Sequence, residues 1–475
     1  MEVLPLSPTQ EGSPEAFGMF LGIVRDLARS DGRPRLVSIT LETDRLDPLA
    51  VLGSIHEERE LHFYCERPDR DLAVGAAECA IAASFEGASR FADASAFVRD
   101  VLDRTIAVGD VDLPFGGPHF FATFGFSDVA ASGAAFPSAR VFVPCWQVAR
   151  DGDRSVAVAN ALIAPDADIE AIAARILRAH ATFSEFDYSR ATSSAGAKAG
   201  VAESEVGAAD WFKAGIGKAT GAIETGEFEK IVLARAKDLL AGAAFDPPEV
   251  LNGLRARFPN CFAFSVGNGE GSAFIGASPE KLIRARGGRL ETEALAGSAP
   301  RGRTAAEDAA LATGLLRSEK DLREHAIVLD SIRRRLARCG IAMDEPGKPR
   351  VRQLSNVQHL LTPVTATATA GTDLFRIVGE LHPTPAVGGT PREAAVRRIA
   401  ELEPFERGLY AGAIGWVDHR GDGEFFVGIR SAIVEGPKAR LFAGAGVVRG
   451  SDPDKEFAET DLKFAALRDA LLGVG

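Results

Sequence analysis

Lys230 and Glu280 each stand beside an apolar run. The lysine opens KIVLARA at 230–236, and the glutamate sits in GASPEKLIR at 276–284. One charge next to such a run is ordinarily a solvated strand end. A lysine and a glutamate turned toward one pocket can instead act as base and acid in proton transfer. Two helical patterns add carboxylates. In SDPDKEFAETDLKFAALRDALL, Glu456, Glu459 and Lys463 fall at i, i+3 and i+7 on one face, with Phe457, Leu462, Ala466 and Leu467 on the other. In SEKDLREHAIVLDSIRRRLARCG, Asp321 and Glu324 repeat the i, i+3 pair and His325 follows. The plain reading is two solvated faces near helix N-termini, where the dipole favours carboxylates. Brought together, the pairs could hold a hard cation such as Mg²⁺, which takes one or two protein carboxylates plus waters and ligand oxygens. No His/Cys set has zinc-like spacing.

These groups need a scaffold, and the chain length of 475 residues allows two or three average domains or one large one. The small, polar stretch ATSSAGAKAGVAESEVGAA at 191–209 reads as a surface loop or linker, since it offers little apolar surface to offset its ordering entropy. It separates an N-terminal part, 1–190, from a C-terminal part, 210–475. In the first part PRLVSITLE, ELHFYCERP, HFFATFGFS and ARVFVPCWQVAR predict strands, and DIEAIAARILRAHATF predicts a helix capped by its aspartate. That part shows no cluster of ionisable groups resembling a site. In the second part Asp210 can cap a helix over WFKAGIGKATGAIETG. Strands are expected in FEKIVLARA, CFAFSVG, SAFIGAS, LYAGAIGWV, EFFVGIRSAIVEG and ARLFAGAGVV, with EKLIRARGGRLETEAL a hairpin turning at Gly287-Gly288. The Ser318 helix has a capping-box-like Asp321, and the last helix follows Ser451-Asp452 with Pro453 in its first turn. Hairpins with few intervening helices point to antiparallel sheets.

With 54 Lys+Arg against 66 Asp+Glu, the net charge of −12 argues against a nucleic-acid partner. It leaves room for an anionic small molecule in a locally basic pocket. Five scattered cysteines, Cys65, Cys79, Cys145, Cys261 and Cys339, form no CxxC and suggest a reduced, cytoplasmic chain. MEVLPLSPTQEGSPEAF lacks a signal peptide's basic and apolar regions. The soft run at 72–85 is too short to span a bilayer, so no membrane role is expected. LFAGAGVVRGS could suggest a dinucleotide loop, but the acids opening the next helix would repel a pyrophosphate. Its glycines, like those of LAGSAPRG and HPTPAVGGTPR, suit a backbone that approaches a carboxylate closely, or plain turns.

KIVLAR, FIGASPE, ETEALAGSAPRG, SEKDLREHAIVLDSI, HPTPAVGGTPR, ERGLYAGAIGW and FAGAGVVRGSDPDKEFAETDLKF run in that order across about residues 210–465. Together they resemble the chorismate-utilising enzymes, most closely the isochorismate-forming ones. The resemblance implies an α/β fold of the α+β type, with two packed, largely antiparallel sheets flanked by helices in α/β/β/α layers and built from both parts of the chain. It implies that Lys230 activates water for attack at C2 of chorismate and that Glu280 protonates the departing C4 hydroxyl. Glu324 and Glu459 would bind Mg²⁺ directly, with Glu456 and Asp321 supporting through water; Asp321 stands where relatives often carry Glu. Arg430, Tyr410 and Lys463 would hold substrate carboxylates, helped by the backbone at Gly297, Ser298 and Gly444, with His359 and Ala386 close to the ring.

Lysine at position 230 favours water over the ammonia of anthranilate synthases, which have a small residue there. The resemblance to the isochorismate-forming enzymes also implies a monomer without a glutaminase subunit. Salicylate synthases keep the lysine but tend to carry threonine where this chain has Ala386. A salicylate synthase and a catalytically silent chorismate-binding subunit are the alternatives. The product could feed menaquinone, siderophore or salicylate formation.

Overall fold

The computed structural model describes residues 1–4, 14–55, 57, 59–185, 200–208, 210–353, 357–368 and 371–473; residues 191–199 and 209 of the expected linker, and 5–13 near the start, lie outside the described residues. Among the described residues the β-branched and aromatic runs form two sheets, one of 14 strands and one of 9. Pairing is antiparallel except where Thr105–Val108 lies parallel to Glu2–Leu4 and to Arg35–Thr43. Both sheets are laid down by both parts of the chain. In the large sheet His62–Arg67 pairs with Phe262–Gly267, and this seam joins the two parts. In the small sheet the seam is His119–Phe124 against Ala413–Asp418.

Strand order mirrors itself about these seams. Outward on the N-terminal side of the large sheet come Leu72–Ala77, Trp146–Asp151, Arg154–Ile163 and Arg35–Thr43. Outward on the C-terminal side come Ser272–Ser278, Ser431–Glu435, Lys438–Val448 and Lys230–Leu240. The small sheet repeats the pattern, with Ala139–Val143 and Ile81–Phe85 on one side of its seam and Gly423–Val427 and Lys281–Arg286 on the other.

The main core lies between the sheets and is rich in phenylalanine. Phe262 stacks on Phe426 at 4.8 Å, and Phe63 stacks on Phe121 at 4.6 Å. Separate apolar clusters bury the outer face of the large sheet against Pro14–Asp31, Ile169–Glu185, Pro48–Ile55, Pro247–Arg257 and Pro453–Leu472. Helices Arg90–Asp103, Glu319–Arg338 and Leu374–Leu381 contact strands of the small sheet, which gives the helix/sheet/sheet/helix layering. No helix among the described residues is long and apolar enough to cross a membrane. All five cysteines are free.

Several sequence expectations change on inspection. ARVFVPCWQVAR is two strands in different sheets, broken at Pro144, which has no N–H to continue a ladder. EFFVGIRSAIVEG likewise splits into Gly423–Val427 and Ser431–Glu435, with Arg430 between them in the left-handed region at φ 53°. LYAGAIGWV becomes a strand only from Ala413. Asp210 adopts φ 61° and its side chain makes no cap hydrogen bond, whereas Asp168, Ser318 and Asp452 cap as expected. On the last helix Leu462 is 60% exposed while Glu456 is buried, so the apolar face lies over Phe464, Leu467 and Leu471. Within the expected linker Ala202–Glu205 forms an edge strand on Lys230–Leu240. Charge secures it in place of apolar burial: Glu203 pairs with Lys237 at 2.9 Å and Glu205 with Arg235 at 2.5 Å.

The N-terminal part also holds an ionisable cluster that the sequence did not reveal. Arg255 grips Asp47 through two bonds of 2.9 Å and reaches Glu66 at 3.2 Å; Arg150 also reaches Glu66, and Tyr64 donates to it. Every carboxylate there faces an arginine, so the cluster is a joint between the two parts of the chain.

Phe63 is fully buried and also meets the Trp416 ring edge-on at 6.2 Å, so it touches strands from both parts. Phe63→Ala should lower the unfolding free energy by about 3–5 kcal/mol. Trp146, on the N-terminal side, and Trp416, on the C-terminal side, should report one shared transition. Two separated transitions would show that the parts fold independently.

Candidate active site

One cleft between the sheets, about 720 Å³ counting its solvent-open mouth, is lined by every residue expected to act on substrate and by two of the expected metal ligands. The large sheet supplies the first wall. Lys230 begins a strand that pairs along its whole length with Lys438–Val448. Glycine at 446 makes room for the lysine, because a Cβ there would stand 3.4 Å from Lys230 Cε and 3.3 Å from Glu324 Oε1. Gly444 likewise admits the Tyr410 hydroxyl, which would lie 2.8 Å from an added Cβ. Tyr410 stacks on Phe442 at 5.0 Å, and burial pushes its phenol up to about 12.

The small sheet supplies the second wall. The strand Arg289–Pro300 has a bulge between Ala296 and Ser298, with Gly297 at φ 80°. Ser298 Oγ lies 2.9 Å from His359 Nδ1 on the neighbouring strand. Burial, then the Arg430 and Lys463 charges, push the His359 imidazole down to about 3, so it is neutral at physiological pH. Ala386 lines the cleft from the turn after His382.

Glu280 and Arg430 occupy the corners where the chain passes from one sheet to the other. Glu280 is buried, and among the described residues the only side chain hydrogen-bonded to its carboxyl is Thr384, whose hydroxyl donates to Oε1 at 3.2 Å. Burial raises the Glu280 carboxyl to about 7; the Thr384 bond opposes that shift and the Glu293 charge adds to it. Lys230 makes no hydrogen bond to Glu280. Its Nζ donates instead to Glu324 Oε1 at 2.6 Å. On the last helix Lys463 bonds Glu459 at 2.6 Å and the Gly444 carbonyl at 2.8 Å. Burial alone would raise the Glu459 carboxyl, but Lys463, with lesser help from His359 and Arg430, holds it below its usual range.

Asp321 and Glu456 do not line the cleft. Asp321 packs behind Gly297, and Glu456 is buried beside Ser451, its carboxyl raised by burial and by Glu459. Among the described residues no group of three or more His, Cys, Asp or Glu is gathered closely enough to hold an ion. The pair that does reach the cleft, Glu324 and Glu459, is a hard-oxygen set of the size Mg²⁺ takes when a ligand and waters complete its shell. Each carboxylate already lies against a lysine, Glu324 against Lys230 and Glu459 against Lys463. The residues therefore fit a cation shared with a substrate and not a self-sufficient cage.

Three contributors were not singled out from the sequence. Thr384 lies in the quoted HPTPAVGG, where it was visible but unassigned. Glu403 just precedes ERGLYAGAIGW and Arg407 lies within it, and the two form a buried ion pair of 2.5 Å beneath the cleft. Only the folded chain shows what these three touch.

A family model described as chorismate binding enzyme matches residues 23–472. The chain is 35% identical over 452 residues to the salicylate biosynthesis isochorismate synthase of Pseudomonas aeruginosa, covering 94% of this chain and 92% of that one. It is 35% identical over 360 residues to the isochorismate synthase MenF of Bacillus subtilis, covering 75% of each. Its structure is similar to that of the menaquinone-specific isochorismate synthase MenF from Escherichia coli, with a TM-score of 0.76 at 26% identity, covering 95% of this chain and 99% of that one.

The Glu280 environment has a thermodynamic consequence. Between the ordinary carboxyl pKa of 4.5 and about 7 the folded protein holds a proton that the unfolded chain has lost, so stability falls as pH rises through this window. Glu280→Gln removes the titration while keeping an oxygen for Thr384. At pH 8 the variant should be more stable than the parent by about 3 kcal/mol, and near pH 4 the two should unfold together. Equal melting temperatures at pH 8 would mean that Glu280 does not carry a raised pKa.

Proposed function

The chain belongs to the chorismate-binding enzymes, and from that premise we propose that it is an isochorismate synthase, converting chorismate to isochorismate. The observation that carries the reading is a buried acid poised near neutrality, Glu280, lining the same cleft as the buried amine of Lys230. Neither group is spent on the other.

Chorismate is a dicarboxylate, and the cleft offers the cations to receive it. Arg430 is free of carboxylate partners within salt-bridge distance among the described residues, and its planar fork suits a carboxylate. Lys463, the Tyr410 hydroxyl and the backbone at Gly297, Ser298 and Gly444 complete the anchoring. Mg²⁺ held by Glu324 and Glu459 would supply positive charge to a substrate carboxylate. With the ring fixed beside Ala386 and His359, Lys230 takes a proton from water as its oxygen bonds to C2. The ring double bonds shift, the C4–O bond breaks, and Glu280 gives its proton to the departing hydroxyl, which leaves as water. Hydroxyl exchange trades similar bonds, so the reaction runs both ways, Glu280 and Lys230 exchanging roles.

The reading includes a protein acting alone. The cleft walls come from this one chain, and lysine at 230 stands in the ammonia route, so no glutaminase partner is called for. The five free cysteines accord with a reducing, cytoplasmic setting.

Purified protein given chorismate, Mg²⁺ and ammonium together should yield a chorismate–isochorismate mixture by mass analysis, with no pyruvate and no aminated ring. Stoichiometric pyruvate would identify a salicylate synthase, an amino product would overturn the role of Lys230, and no turnover would indicate a silent subunit. Lys230→Ala should abolish turnover while chorismate binding persists, because what is lost is needed only in the transition state.

Excess chelator should stop the reaction, and added Mg²⁺ should restore it. Full activity in chelator would reject the metal.

A further inference from the structure

The strand that opens with Lys230 has a gap in its ladder. One edge is fully paired with Lys438–Val448. The other pairs with Gly389–Thr390 at its start and with Ala202–Glu205 at its end; between them the Gly388 carbonyl takes the Val232 N–H and the Val206 N–H reaches the Ala236 carbonyl, but no strand among the described residues reaches the Val232 carbonyl or the Ala234 N–H. An unpaired buried backbone group there would cost free energy, so something must satisfy it. Arg407 Nη2 donates to the Val232 carbonyl at 2.7 Å, and Glu403 Oε1 accepts from the Ala234 N–H at 2.7 Å. The two side chains thus present the donor and acceptor that a neighbouring strand would have offered.

The same guanidinium reaches across the cleft floor. Arg407 Nη1 donates to the Val387 carbonyl at 2.8 Å, while Nε and Nη2 bond both Glu403 oxygens at 2.8 and 2.5 Å. The ring of Phe126 covers it at 4.2 Å. Val387 belongs to the turn in which Thr384, through its carbonyl, takes the Val387 and Gly388 N–H groups. Thr384 is also the residue whose hydroxyl holds Glu280. A continuous path of hydrogen bonds therefore runs from the strand of Lys230 through Arg407 to the turn that holds Glu280.

We infer that Arg407 and Glu403 are a positioning pair that sets the separation between the base on the strand and the acid held by the turn. The inference rests on the acid–base reading above. Neither residue lines the cleft. They act by fixing Val232, Ala234 and Val387, and the planar fork of arginine is needed because three acceptors are served at once.

The test compares Arg407→Lys and Glu403→Gln with the parent, alongside Lys230→Ala and Glu280→Gln. Lysine keeps the charge but cannot serve three acceptors, so Arg407→Lys should lose kcat by about 10–100-fold, the scale expected of a small misplacement, with KM for chorismate unchanged. The limb of its pH profile that reports Glu280 should move, because the Thr384 bond loosens. Glu403→Gln keeps an oxygen for the Ala234 N–H and should retain more activity than Arg407→Lys. Thermal unfolding is followed in parallel. If either variant is poorly folded, the kcat of its folded fraction at low temperature is compared. A loss that tracks stability alone, a KM rise equal to the kcat fall, or an unmoved pH limb would overturn the positioning role. If Lys230→Ala and Glu280→Gln themselves stay active, the acid–base reading fails, and that is a separate result.

Discussion

The cleft depends on a pair of corners. The chain leaves the large sheet for the small one at Ser278–Lys281 and returns at Val427–Ser431, and the two crossings are bonded to each other. The Val427 N–H donates to the Glu280 carbonyl at 3.0 Å, the Ala277 N–H donates to the Arg430 carbonyl at 3.1 Å, and Ser278 Oγ donates to the Val427 carbonyl at 2.5 Å. A residue at a crossing belongs to neither ladder, so its side chain can enter the space between the sheets. Glu280 and Arg430 do so. Arg430 adopts a left-handed backbone that a non-glycine residue takes only at a cost of about 1–3 kcal/mol. The cross-bonds between corners help hold it there.

Charge inside the cleft is nearly self-cancelling, and this decides what can enter. Lys230 answers Glu324 and Lys463 answers Glu459, which leaves Arg430 as the available cation and Glu280 as an acid that burial keeps partly neutral. The cleft therefore accepts net negative charge even though the chain as a whole carries −12. An ion pair of 2.6 Å is no waste here. Keeping both lysines and both carboxylates paired avoids the penalty of isolated buried charges until a ligand takes over the partnership.

Much of this was legible before folding. β-Branched and aromatic runs marked the strands, cap residues marked three helix starts, and the ordered motifs marked the residues that line the cleft. The failures share one cause: a strand's sequence does not say which sheet it joins. ARVFVPCWQVAR and EFFVGIRSAIVEG read as continuous because each half satisfies the same pattern, and the crossing between them is a tertiary event. The Glu403–Arg407 pair was hidden for a similar reason. An acid and a base four apart look like a surface helical pair, and only the missing strand beside Val232 makes them a substitute for backbone. The edge strand Ala202–Glu205 was hidden by its composition, since it is held by charge and not by apolar area.

The mirrored strand order carries one more implication. The Ser278–Lys281 and Val427–Ser431 crossings have counterparts across the seam, between Ala77 and Ile81 and between Val143 and Trp146. Beside those counterparts lies another cleft, backed by the helix Ile169–Glu185, which follows its strand as the last helix follows Lys438–Val448. Where the first pair of corners brings Glu280 and Arg430, this one brings Cys79 and Cys145, and its helix offers Arg175, paired with Glu78, in place of Glu459. The molecule is thus a scaffold written twice, with a different set of side chains on each copy. What distinguishes the two clefts is a handful of residues on a shared backbone plan.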